Sequence, residues 1–144
     1  MSKSVSPHVL TVMEADMSRV SKHRAANKAA FERDGYLFFP GLFSPAEMQS
    51  MLDAVPELYG RREPYNVREK GSDAVRTNFA AHLVSEPFAR LARHPRMVLP
   101  VQQLFDDEPL YMHQFKVNGK MAFEGDVWQW HQDYGTWKRD DGMP

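Results

Sequence analysis

The sequence predicts an α+β fold in which helices pack around a sheet or barrel. Three observations carry this reading. The first half contains helix-favouring stretches and a strong helix start at Ser44-Pro45. The second half contains two runs, 110–120 and 126–134, that alternate in the manner of strands. The chain has 144 residues, the size of one ordinary domain with a real core.

Taken in order, residues 1–15 show no strong period and read as a loose leader, with the domain occupying 16–144. Residues 16–33, with several Ala and Lys/Arg, favour helix. Asp34-Gly35 ends it, because glycine accepts the left-handed conformation after a helix. Tyr36-Leu37-Phe38-Phe39 reads as a short buried strand closed by Pro40-Gly41. Ser44 is an N-cap, Pro45 suits the first helical position and Glu47 completes a capping box. Phe43 and Met48 are placed as a hydrophobic staple across that cap. The helix is expected to reach about Leu58, with Met48, Met51, Leu52 and Val55 on one face and Pro56 able to shorten it.

The charged stretch 59–73, with Pro64 and Gly71, reads as a mobile loop, and 74–79 as a strand. Ser85-Glu86-Pro87 opens a helical stretch, punctuated by His94-Pro95 and Pro100, that ends near Phe105. Asp106-Asp107-Glu108-Pro109 is a turn. The two strand-like runs follow, joined by a loop around Phe123-Glu124-Gly125.

Composition excludes several classes. The chain has no cysteine, so disulfides, thiolate metal sites and a cysteine nucleophile are ruled out. A net charge of -1 offers no electrostatic footprint for nucleic acid. No apolar run approaches membrane-spanning length, and the start lacks a secretory pattern. A cytoplasmic location is the expectation.

The residues that could carry chemistry cluster near the C-terminal end. On a strand, His131 and Asp133 share one face with Val127 and Gln129, while Trp128, Trp130, Gln132 and Tyr134 share the other. The bland alternative is a histidine hydrogen-bonded to a nearby aspartate. The chemical one is a shared divalent cation, which two ionisable groups on an otherwise apolar face would need. Imidazole plus carboxylate without thiolate fits a two-His-one-carboxylate Fe(II) site, and zinc with a hydrolase chemistry competes. Both need a second histidine. His113 lies on the adjacent run, but alternates with Gln114 and is expected to face away. Gln114, Lys116, Asn118 and Lys120 form a polar face, read either as solvated or as a wall that binds an anionic cosubstrate. Trp137 is either simple packing or an aromatic wall for substrate.

At these residues the sequence resembles the phytanoyl-CoA dioxygenase family of Fe(II)- and 2-oxoglutarate-dependent oxygenases, and within it the ectoine-hydroxylase-like branch. The signature is Trp128-Gln129-Trp130-His131-Gln132-Asp133-Tyr134-Gly135-Thr136-Trp137 followed by Asp141-Gly142-Met143-Pro144, with Gln114, Asn118 and Lys120 upstream. Asp34-Gly35-Tyr36 and Phe43-Ser44 resemble the usual opening of the family. The similarity spans about residues 28–144.

The resemblance implies a double-stranded β-helix (jelly-roll, cupin-like) with N-terminal flanking helices. It implies His131 and Asp133 as iron ligands, Asn118 and Lys120 as contacts to 2-oxoglutarate, and Gln114 and Trp137 as substrate-pocket residues. The implied chemistry is oxidative decarboxylation of 2-oxoglutarate by O2, coupled to hydroxylation of a small-molecule C–H bond. Asp133 argues against the halogenating variants, which carry a small residue there. The second iron-binding histidine and the basic residue that grips the far carboxylate are expected further downstream. The chain is therefore expected to be the N-terminal part of such a domain, truncated before the sheet closes. Alone it would be inactive, with exposed edges that make it fold poorly or associate. The alternative is a non-catalytic remnant or interaction module of the same fold.

Overall fold

The computed structural model describes residues 23–140 and 142. The leader expected over 1–15 and the first part of the helix expected from 16 lie outside them. Helix α1 spans Arg24–Asp34 and ends as anticipated. Gly35 adopts φ 78°, and its N–H donates to the Phe31 carbonyl at 2.8 Å.

Helix α2 spans Pro45–Gly60. The Glu47 N–H donates to Ser44 Oγ, and the Ser44 N–H donates to Glu47 Oε2, so the capping box forms in both directions. The helix runs through Pro56 to Gly60, two residues beyond the expected end. An interior proline costs about 3 kcal/mol. Burial of Leu58, 2% exposed, and of much of Tyr59 offsets that cost. The last carbonyls of α2 also find donors: Asn66 Nδ2 bonds the Leu58 and Arg61 carbonyls at 2.8 Å, and Arg68 Nη2 bonds the Tyr59 carbonyl at 2.9 Å. The buried face of α2 uses Met51, Ala54, Val55, Leu58 and Tyr59, whereas Met48 and Leu52 are exposed.

Those donors sit on or beside a strand that the sequence reading treated as mobile loop. β1 (Asn66–Arg68) pairs antiparallel with β2 (Val75–Phe79), with a bulge between Val67 and Arg68. Buried Asn66 is what orders this stretch. Its Oδ1 accepts from Asn78 Nδ2 at 2.6 Å while its amide holds α2, so charge and Pro64 do not free the loop. β2 pairs antiparallel with β3 (Lys116–Asn118) in the register Thr77↔Asn118, Asn78↔Val117 and Phe79↔Lys116, giving the order β1-β2-β3.

Between β2 and β3 lie α3 (Ala81–Val84), α4 (Glu86–Ala92) and α5 (Pro95–Leu104). The break at His94-Pro95 matches the sequence reading, and Pro100 stays inside α5. The turn after α5 is also as expected. Asp106 and Asp107 take φ 53° and 64°, a region aspartate tolerates, and they pair with Lys28 and Arg24 of α1. The core gathers Leu58, Ala81 and Phe88, with Val117 of β3 and Phe115 just before it packed against it.

Three expected strands are corrected. Residues 36–39 form no strand, and Tyr36 and Phe38 are exposed. An apolar run records hydrophobicity, not a pairing partner, and none pairs with it among the described residues. The run 110–120 is strand only at Lys116–Asn118, the three residues that pair with Thr77, Asn78 and Phe79 of β2. Its alternation does hold there, with Phe115 and Val117 inward and Lys116 and Asn118 outward. The run 126–134 is not a strand at all; it is irregular up to Gln132, and α6 (Asp133–Asp140) follows. The outcome is an α+β arrangement with a small, open antiparallel sheet. No described helix is long and apolar enough to cross a membrane.

Candidate metal centre

His131 and Asp133 come together without a strand beneath them. Asp133 is the first residue of α6, where a carboxylate is favoured by the helix dipole, and Lys138 and Arg139 occupy the last turn. His131 Nε2 lies 3.1 Å from Asp133 Oδ1. Its Nδ1 lies 2.6 Å from the Gln129 carbonyl oxygen. A carbonyl only accepts, so Nδ1 carries the ring proton and donates. Nε2 then faces a carboxylate oxygen, lone pair to lone pair, unless a cation lies between them. That cation is either a second ring proton or a metal ion.

The donor set fits a metal ion. Two donors about 2.1 Å from one cation, at right angles, lie about 3 Å apart. A ligating imidazole also commonly donates its other N–H to a carbonyl, as Nδ1 does here. Both side chains are about half exposed, so a cation can reach them. Among the described residues no group of three His, Cys, Asp or Glu is placed to hold a metal. His113 does not join the pair in such a group. Its ring stands edge-on to Trp137 at 5.2 Å and to Tyr111 at 6.3 Å.

The alternation argument that put Val127, Gln129, His131 and Asp133 on one strand face does not hold, since residues 127–132 are irregular. The start of that irregular segment is held by a pair of residues that sequence reasoning missed. Glu69 has a buried side chain, 4% exposed, and pairs through Oε2 with Arg76 Nη1 at 3.1 Å. Its Oε1 accepts from the Asp126 N–H at 3.1 Å. The Arg76 guanidinium lies over the Trp128 ring at 4.1 Å, and Nη2 donates to the Val127 carbonyl at 3.4 Å. The available signal was an arginine inside the otherwise strand-like Val75-Arg76-Thr77-Asn78-Phe79, which needs a partner when it is largely covered.

The other expected site residues are placed as follows. Asn118 Oδ1 accepts from Thr77 Oγ1 at 3.1 Å, so the end of its amide that remains is a donor. Lys120 Nζ donates to the Gly125 carbonyl at 3.0 Å and to the Asp126 carbonyl, which leaves one of three ammonium donors. Gln114 is exposed, two residues before β3 begins. Trp137 is half-buried and lies one turn after Asp133 on α6.

A cleft of about 450 Å3 between α2 and α4, lined by residues including Phe43, Glu47, Met51, Arg90 and His94, contains none of these residues. Its charged groups are already paired: Glu47 with Arg96, and Arg90 with Glu86, which also lines the cleft.

The phytanoyl-CoA dioxygenase (PhyH) family model matches residues 31–144. Ectoine dioxygenase of Bordetella bronchiseptica is 39% identical over 121 residues, covering 80% of this chain and 38% of its own length. L-proline trans-4-hydroxylase of Streptomyces griseoviridis is 39% identical over 116 residues, covering 81% of this chain and 43% of its own. Among solved structures, EctD from S. alaskensis with 2-oxoglutarate and 5-hydroxyectoine matches with a TM-score of 0.76 at 35% identity. That match covers 83% of this chain and 44% of that one. The chain spans about four-tenths of the length of these curated relatives.

Proposed function

The chain belongs to the phytanoyl-CoA dioxygenase family, and from that premise we propose that the whole protein is an Fe(II)- and 2-oxoglutarate-dependent dioxygenase that hydroxylates a small-molecule substrate. The observation that carries this is the His131–Asp133 pair at 3.1 Å, with the ring proton held on the Gln129 carbonyl. The relatives named for ectoine and L-proline support a compact substrate. The open three-stranded sheet is, on this reading, one part of a double-stranded β-helix.

Ferrous ion, when bound, supplies O2 activation coupled to decarboxylation of 2-oxoglutarate. The residues of this chain prepare that chemistry. His131 offers Nε2, oriented by its Nδ1–H on Gln129, and Asp133 offers Oδ1. The family pattern adds a second imidazole as third ligand. Asn118 offers its amide N–H and Lys120 its remaining ammonium donor to the anionic cosubstrate, a charge-assisted contact. Gln114 and Trp137 line the substrate side, where an aromatic wall helps keep water from the reacting centre.

Anaerobic addition of Fe(II) and 2-oxoglutarate to the whole protein should produce a visible metal-to-ligand charge-transfer band. His131→Ala should abolish it. Undiminished hydroxylation after replacing both His131 and Asp133 with alanine would defeat the proposal.

A further inference from the structure

Residues 126–132 lie immediately before Asp133 and the α6 helix, yet belong to no helix or strand. Side chains in the sheet and just past its strands hold their start. Glu69 accepts the Asp126 N–H, Arg76 takes the Val127 carbonyl and stacks on Trp128, and Lys120 takes the carbonyls of Gly125 and Asp126. Arg76 is the hub, since it also pairs with the buried carboxylate that holds Asp126. We infer that Arg76, seated on Glu69, is a positioning residue for the metal pair, acting on His131 and Asp133 through the backbone of residues 126–128.

This rests on the metal reading above. It differs from a general stabilising role because the grip reaches three consecutive residues in three ways: Arg76 beside Asp126 at 4.0 Å, a hydrogen bond to the Val127 carbonyl and a stack on Trp128. A planar guanidinium can do all three at once while pairing with Glu69, and an ammonium cannot. Arg76→Lys therefore keeps the charge beside Glu69 and loses the grip.

The test uses the whole protein and two readouts. Amide hydrogen exchange of residues 126–133 is measured without metal, and Fe(II) affinity is titrated anaerobically. Arg76→Lys should melt within a few degrees of wild type, exchange those amides about tenfold faster and bind Fe(II) about 10- to 100-fold more weakly. If Arg76→Lys does not fold, the double variant Arg76→Met with Glu69→Gln leaves no unpaired buried charge and carries the same expectations. Unchanged exchange would overturn the inference, as would faster exchange with wild-type Fe(II) affinity. A wild-type protein that binds no Fe(II) would instead fell the metal reading. That result is visible in the wild-type titration alone, and it would take the positioning role down with it.

Discussion

Nε2 of His131 and Oδ1 of Asp133 stand 3.1 Å apart across the junction between an irregular segment and the start of α6. With Nδ1 already spent on Gln129, that separation leaves either a second ring proton or a metal ion between the two atoms, and it does not depend on a strand. Neither side chain is part of the core, so replacing them separates binding from folding. His131→Ala and Asp133→Ala are each expected to change unfolding free energy by no more than about 0.5 kcal/mol. Fe(II) affinity should drop by more than about 100-fold, beyond what loss of an outer partner causes. Thermal melts and anaerobic Fe(II) titrations on the same samples check both. A large loss of stability would mean that the pair holds the fold together.

Local signals were legible and partnerships were not. Ser44, Pro45 and Glu47 announced α2 because a cap is decided within four residues. Gly35 announced the end of α1 for the same reason. The alternation of Phe115, Lys116, Val117 and Asn118 correctly separated inside from outside. By contrast, residues 36–39 and 126–134 look like strands, and a strand exists only where another backbone pairs with it. The segment around His131 was read as a strand and is irregular. Its start, at Asp126 to Trp128, is held by Glu69 and Arg76, more than fifty residues earlier in the chain. Asn66 was hidden likewise, because a charged, proline-containing stretch gives no hint that one amide will be buried.

Gly119 sits where β3 ends and Lys120 begins to hold the next loop. A Cβ there would run into the Val75 carbonyl and would touch the Tyr59 ring at 3.4 Å. The backbone oxygen belongs to β2 and cannot rotate away as a side-chain tip could. Gly119→Ala is expected to cost about 1–3 kcal/mol, read as a lower urea midpoint. A midpoint equal to wild type would show that β2 and β3 can separate locally without penalty.

Asn66 links helix to sheet through three hydrogen bonds, two to α2-end carbonyls and one from fully buried Asn78. Asn66→Ala leaves the Asn78 amide without this acceptor and the Leu58 carbonyl without this donor. Such orphaned groups cost about 1–3 kcal/mol each when water cannot reach them. The variant is expected to lose about 3 kcal/mol in urea unfolding, more than an exposed substitution such as Arg90→Ala, which should stay within about 0.5 kcal/mol. Equal losses for the two would remove the argument that Asn66 orders β1.

Glu47 ties the start of α2 to α5. The Arg96 guanidinium, and then the Ser44 N–H, hold its carboxyl down to about 2. The folded value lies below the ordinary 4.5, so the folded state favours the ionised form. The stabilisation is complete above about pH 4.5 and is lost as pH falls toward 2. The side chain is 41% exposed, and solvent screening limits the contribution to about 1 kcal/mol. Wild type should therefore exceed Glu47→Gln in urea midpoint at pH 6, and the two should converge by about pH 2. A difference that stays constant across that range would assign the role of Glu47 to packing and capping, with its charge doing nothing.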